Sequence, residues 1–132
     1  MIVIHPHEQA GMAGKQGSQF TGLAHPHLTM SEDGVTINTV NFTPGARTHW
    51  HSHEHGQILQ VVAGRGFVGL RDGSFQTVRV GDTIWTPPGE QHWHGAARDA
   101  YLTHVAISLG TTRWAEAVDE HLYATTPLGA DR

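Results

Sequence analysis

The sequence contains no cysteine, so it can build neither a disulfide framework nor thiolate chemistry. It is also short of charge: 15% of its residues are Asp, Glu, Lys or Arg, and the basic ones are scarcer, 8 against 12 acidic. A formal net charge of -4 excludes the basic field that would grip nucleic acid or an anionic membrane. No stretch approaches the roughly 18 apolar residues of a spanning helix. The opening Met1-Ile2-Val3-Ile4-His5-Pro6 has no basic region, so no secretory signal is expected there. Together these absences lead to the expectation of a soluble, cytoplasmic protein that acts on a small molecule.

What is present is unusual in one respect, 12 histidines among 132 residues. The hydrophobic fraction, 38%, is enough for a core, and the length suits a single domain over residues 1–132. The 16 glycines and 6 prolines indicate frequent turns. Strands are expected at Val35–Phe42, Thr48–His53, Ile58–Ala63, Phe67–Leu70, Thr77–Val80, Thr83–Thr86, Gln91–Ala96 and Tyr101–Ser108. An edge strand is possible around Phe20–Met30. Gly64-Arg65-Gly66 and Asp72-Gly73 read as hairpin turns, Pro87-Pro88-Gly89 as a sharp one. Apolar parity changes between Ile37 and Val40, which suggests a bulge or a change of buried face. Short strands with a turn every 8–12 residues mean an all-β sandwich or closed barrel. Trp114, Val118 and Leu122 fall four apart, which predicts one C-terminal helix over about 112–123.

The histidines cluster. His49, His51, His53 and His55 alternate along one expected strand, and His92 and His94 repeat the arrangement on another. Residues two apart on a strand share a face, so several imidazoles can converge inside a barrel. Trp50 and Trp93 then face the other way. Neutral imidazole is the commonest protein ligand of transition metals.

The spacing carries a resemblance. The segment Gly45-ARTHW-His51-Ser52-His53-EHG-Gln57-ILQVVA-Gly64 resembles the first cupin motif, and Gly81-DTIWT-Pro87-Pro88-Gly89-EQ-His92-WHG-Ala96 the second. The resemblance covers about residues 35–108. It implies a double-stranded β-helix (jelly-roll barrel) with one divalent transition metal in its mouth and a homodimer or higher homo-oligomer. Carried over by position, His51, His53 and His92 become metal ligands, Gln57 stands in the usual Glu place, and Ala96 in the usual Asn place. A neutral amide beside three neutral imidazoles leaves the charge of the ion uncompensated, which favours anionic ligands. Manganese is the expected metal, with Fe, Ni, Co and Zn compatible. His49 and His55 are expected at the rim or in solvent.

His94, two residues past His92, is expected to face the same cavity as a general acid/base. Alternation puts Leu102, His104, Ala106 and Ser108 on one face. If that face is inward, His104 is a second base, and otherwise a hydrogen-bonded core histidine. Asn38, Val40, Phe42, Trp85 and Ser108 are the expected pocket residues. The runs HWHGA and LTHVAIS, with Gln57, are similar to a subgroup of small bacterial cupins. It comprises manganese-dependent hydroxynitrile lyases and carboxymuconolactone-decarboxylase-like cupins. That likeness implies a metal-dependent lyase acting on cyanohydrins. Ser108, Asn38 and the His-rich stretches 5–7 and 25–27 depart from it. An Fe(II)-dependent dioxygenase and a non-catalytic module binding a sugar or small acid remain alternatives.

Overall fold

The computed structural model describes residues 1–5 and 17–129. Eleven strands and one short helix follow in order: β1 (Phe20–Thr21), β2 (Ala24–Glu32), β3 (Val35–Phe42), β4 (Arg47–Thr48), β5 (His51–His53), β6 (Gln57–Leu70), β7 (Phe75–Arg79), β8 (Thr83–Thr86), β9 (His92–Ala96), β10 (Leu102–Leu109), β11 (Thr112–Trp114) and α1 (Glu120–Tyr123). All pairings are antiparallel, and the main path runs β1-β4-β9-β6-β10-β3-β2. β7 and β8 pair with β6, while β5 pairs with β9 and β11. The result is the expected all-β double-stranded β-helix with one C-terminal helix. Of the His-rich stretch 5–7, His5 is described and His7 lies outside the described residues. The stretch 25–27 falls in β2.

β6 is the spine, and it differs from the expected hairpin. Gly64 and Gly66 do not turn the chain. They let it bend while passing very close to its neighbours: a Cβ on Gly64 would lie 1.9 Å from the Tyr101 carbonyl oxygen, and one on Gly66 2.1 Å from that of Gly95. Gly64 also takes a positive φ of 80°, which other residues adopt at a cost. Before the bend β6 pairs with β8 and β10, and after it with β7 and β9. One strand thus serves both halves of the barrel, and the β10 register shifts at Thr103/His104 beside the bend.

The expected strand Thr48–His53 is broken at His49-Trp50 into β4 and β5. Within the break, His49 N–H donates to the Gln19 carbonyl and Trp50 N–H to that of Glu116. β3 keeps one parity, with Val40 and Phe42 buried, and the bulge lies opposite it on β2 between Leu28 and Met30. The helix expected over 112–123 shrinks to its last four residues. Thr112–Trp114 instead forms β11 against β5, and Ala115 N–H donates to the Trp50 carbonyl. The four-residue spacing that predicted a helix therefore joins residues with different tasks. Val118 is buried and Leu122 packs with it around Trp50, Phe67, Trp93 and Tyr123, while Trp114 is 43% exposed and lies against the His51 ring. Among the described residues no helix is long and apolar enough to cross a membrane.

Two apolar clusters hold the barrel. One, with Val40, Phe42, Val61, Val78 and Leu102, fills its interior. The other, around Trp50, Phe67 and Trp93, seats the C-terminal segment. Fully burying a side chain such as Phe67 or Leu102 stabilises the fold by roughly 1.5–3 kcal/mol. Arg47 braces the C-terminal segment, lying 3.9 Å over the Tyr123 ring and 2.5 Å from a Glu120 carboxylate oxygen.

Candidate metal centre

β5 and β9 pair with His51 opposite His92. That register brings three imidazoles to one place: the ring nitrogens of His51, His53 and His92 offer ligand atoms all within 4.8 Å of one another, and all three residues are buried. Each ring is tied on its outer side. His51 Nδ1–H donates to the His49 carbonyl (2.9 Å) and His92 Nδ1–H to the Glu90 carbonyl (3.0 Å). His53 Nδ1 lies 3.1 Å from Thr112 Oγ1. A neutral imidazole that donates through Nδ1 keeps its lone pair on Nε2. His51 and His92 therefore present their Nε2 lone pairs to the shared site, and His53 does so when its Nδ1–H donates to the Thr112 hydroxyl, the arrangement that orients metal-ligating histidines. Here His49 supplies its backbone rather than its ring, and the His55 side chain is 68% exposed.

The residues present fit a divalent ion on two observations. His53 Nε2 is buried and has no hydrogen-bond partner, a costly state unless something binds it. Gln57 Oε1 sits 3.0 Å from His92 Nε2. Because His92 already donates through Nδ1, two lone pairs face each other there, which is repulsive unless a cation lies between them. Two donors at right angles, each ~2.1 Å from one ion, are ~3.0 Å apart. The Gln57 amide is aimed by its other end, which donates to Ser108 Oγ at 3.1 Å.

Burial keeps these rings neutral, as ligation requires. His51 is pushed well below its ordinary value by burial first and by the charge of His92 second. His53 is lowered to about 4 by burial and then by His92. Burial likewise lowers His92, against the opposing pull of the Glu90 carbonyl.

A cavity of about 230 Å³ opens beside the cluster. The expected residues Asn38, Val40, Phe42, Ser108 and His94 line it, together with His51, His53 and Gln57. Trp85 does not. It is 54% exposed and borders a different, outer hollow with Phe75 and Ile84, because its position opposite Ile58 puts it on the outer face of the sheet. His104 is inward and buried, yet it stands behind His94 rather than on the cavity wall. Its Nε2 is 2.9 Å from His94 Nδ1, so the two rings share one proton. The outer nitrogens, His94 Nε2 and His104 Nδ1, are buried without partners. His94 is held well below its ordinary value by burial and then by His104, and His104 is lowered to about 4 by burial. Thr48 Oγ1 accepts from the His94 backbone N–H and fixes its strand.

Phe20, Thr112 and Trp114 also line the cavity and were missed by sequence reasoning. The β-branched pair Thr111-Thr112 after Gly110 was the available strand signal, and a helical period overrode it.

A closed antiparallel double-stranded β-helix, with three inward imidazoles suited to a mononuclear metal site, defines a metal-binding cupin fold. The chain belongs to the cupin family, whose domain matches residues 38–108. It is 49% identical over 69 residues to an (R)-mandelonitrile lyase from Granulicella tundricola, a match covering 52% of this chain and 53% of that protein. The chain thus spans about half the length of that curated relative. Among solved structures it is similar to a cupin-like protein from Thermotoga maritima, with a TM-score of 0.82 and 38% identity, covering 89% of this chain and 96% of the other. A polyketide cyclase from Streptomyces resistomycificus shares the fold at a TM-score of 0.71 and 18% identity, over 93% and 90% of the two chains.

Proposed function

We propose that this cupin is a metal-dependent lyase of the hydroxynitrile lyase type, which cleaves and forms cyanohydrins, with manganese as its native ion. His51, His53, His92 and Gln57 would hold that ion, which supplies a Lewis-acidic centre that no ligand carboxylate neutralises. The reading rests above all on His94 Nε2, a buried nitrogen without a partner beside the metal cluster. The likeness to a mandelonitrile lyase supports it.

In cleavage His94 Nε2 accepts the substrate hydroxyl proton. The O–H electron pair becomes the new carbonyl π bond, and the bond to the nitrile carbon breaks with its pair leaving as cyanide. His94 then returns the proton, and hydrogen cyanide and an aldehyde depart. His104 takes no part in contacting substrate. When their shared proton sits on His94 Nδ1, His104 Nε2 accepts it and the His94 Nε2 lone pair is free to act as base. The apolar wall of Val40, Phe42 and Phe20 suits the body of an aryl or alkyl aldehyde.

The test is aldehyde release from mandelonitrile under argon by manganese-loaded protein. Release above the metal-free rate supports the reading. Oxygen consumption on a catechol without aldehyde release would replace it with a dioxygenase, and elemental analysis of protein purified without a nickel column checks the metal.

A further inference from the structure

β11 lies beyond the matched cupin segment, which ends at residue 108, yet it touches two of the three clustered histidines. Its register on β5 places Thr112 opposite His53 and Trp114 opposite His51. Residues directly opposite in an antiparallel pair share a face, so both side chains are carried to the metal side of the strand. Arg113, opposite Ser52, does not line that cavity; it borders a separate hollow with Ser52 and Gln91, whose wall Trp114 and His53 share.

The two contacts differ in kind. His51 and His92 lean on carbonyls of their own chain segment, two residues back. His53 takes its anchor from a side chain of a separate strand, the Thr112 hydroxyl. The Trp114 ring lies over His51 at 4.5 Å between centroids and 30° between planes, and Phe20 stands 6.4 Å behind it. Both residues also line the cavity.

We propose that β11 is a positioning strand for the metal centre, in which Thr112 fixes the His53 ring through Nδ1 and Trp114 holds the His51 ring by stacking. This rests on the metal-binding reading above. Thr112 and Trp114 do not ligate; they act through the histidines. Removing the partner behind a ligating histidine weakens metal affinity by roughly 10–100-fold.

The test is calorimetric titration of the metal-stripped full chain with Mn²⁺ alone, with thermal melts of the stripped proteins alongside. Thr112→Val keeps the β-branched shape, so strand pairing is retained, and the affinity should fall about 10-fold or more. Thr112→Ser keeps the hydroxyl and should bind as wild type does. Trp114→Ala should weaken binding and Trp114→Phe preserve it. The proposal is overturned if T112V binds as tightly as wild type, or if T112S is as weak as T112V. Should T112V fail to melt cooperatively, the Trp114 pair decides: equal affinity in W114A and wild type overturns it. Wild-type protein that takes up no Mn²⁺ defeats the metal-binding reading itself, a different result from binding that ignores β11.

Discussion

The five histidines buried among the described residues fall into two groups built on opposite principles. In the trio, His51, His53 and His92, every Nδ1 is tied to a partner on the outer side, and for His51 and His92 that partner is a carbonyl, which only accepts, so their Nε2 lone pairs have one direction. In the pair, His94 and His104 bond to each other, and their remaining nitrogens are unpartnered. Nothing around the pair dictates where its shared proton sits. With the proton on His94 Nδ1, Nε2 is a base; with it on His104 Nε2, His94 presents an N–H to the cavity and is an acid. β9 carries both kinds, since His92 and His94 are two residues apart on it. The chemistry of an imidazole here is therefore set by what its far nitrogen touches, more than by its place on a strand.

The largest expected effect separates the groups directly. His92→Ala removes a proposed ligand, and its loss of Mn²⁺ affinity should exceed the ~100-fold expected when only a partner behind a ligand is removed. Aldehyde release should vanish with the metal. His94→Gln keeps a hydrogen bond to His104 but cannot take a proton. Its kcat should drop ~10²–10⁴-fold, the usual contribution of general acid–base catalysis, while metal content by elemental analysis stays at the wild-type level. If H94Q also loses the metal, the division between the groups fails.

Acid should act on both groups together. In the unfolded chain an imidazole gains its proton near pH 6.5. In the folded chain burial lowers all five, His53 and His104 to about 4. Below pH 6.5 the unfolded state binds more protons, so stability is full above that pH and is lost as the pH falls toward 4. Each fully buried ring contributes up to about 1.4 kcal/mol per pH unit in that window. The Tm of metal-free protein should fall steeply from pH 6.5 to about 4, and His104→Gln should flatten the slope. A Tm indifferent to pH across that window contradicts neutral burial of these rings.

The trio was legible because strand alternation has a period of two, and the His-x-His repeats place rings on one face whatever the rest of the chain does. His104 was open between cavity and core, and its place behind His94 depends on the β10 register shift, which no local pattern encodes. β11 was hidden by an accidental helical period in Trp114, Val118 and Leu122. The bend of β6 looked like a turn because glycines serve both turns and close backbone approach, and only the position of the Tyr101 and Gly95 carbonyls distinguishes them. Trp85 was assigned to the cavity on hydrophobicity, while its pairing with Ile58 sends it outward.

The smallest expected effect asks to which group Gln57 belongs. Its Nε2–H donates to Ser108 while Oε1 faces His92, so Ser108 does for the amide what the Glu90 carbonyl does for His92. Ser108→Ala leaves a buried amide N–H without a partner and frees the amide to rotate. One neutral hydrogen bond contributes about 1 kcal/mol, so Mn²⁺ affinity should weaken ~5-fold, with kcat at saturating metal nearly unchanged. Ser108→Thr keeps the hydroxyl but adds a methyl group to the cavity wall, and should raise KM while sparing metal affinity. If Ser108→Ala lowers kcat and leaves Mn²⁺ affinity alone, Gln57 works with His94 on the substrate, and the trio coordinates without it.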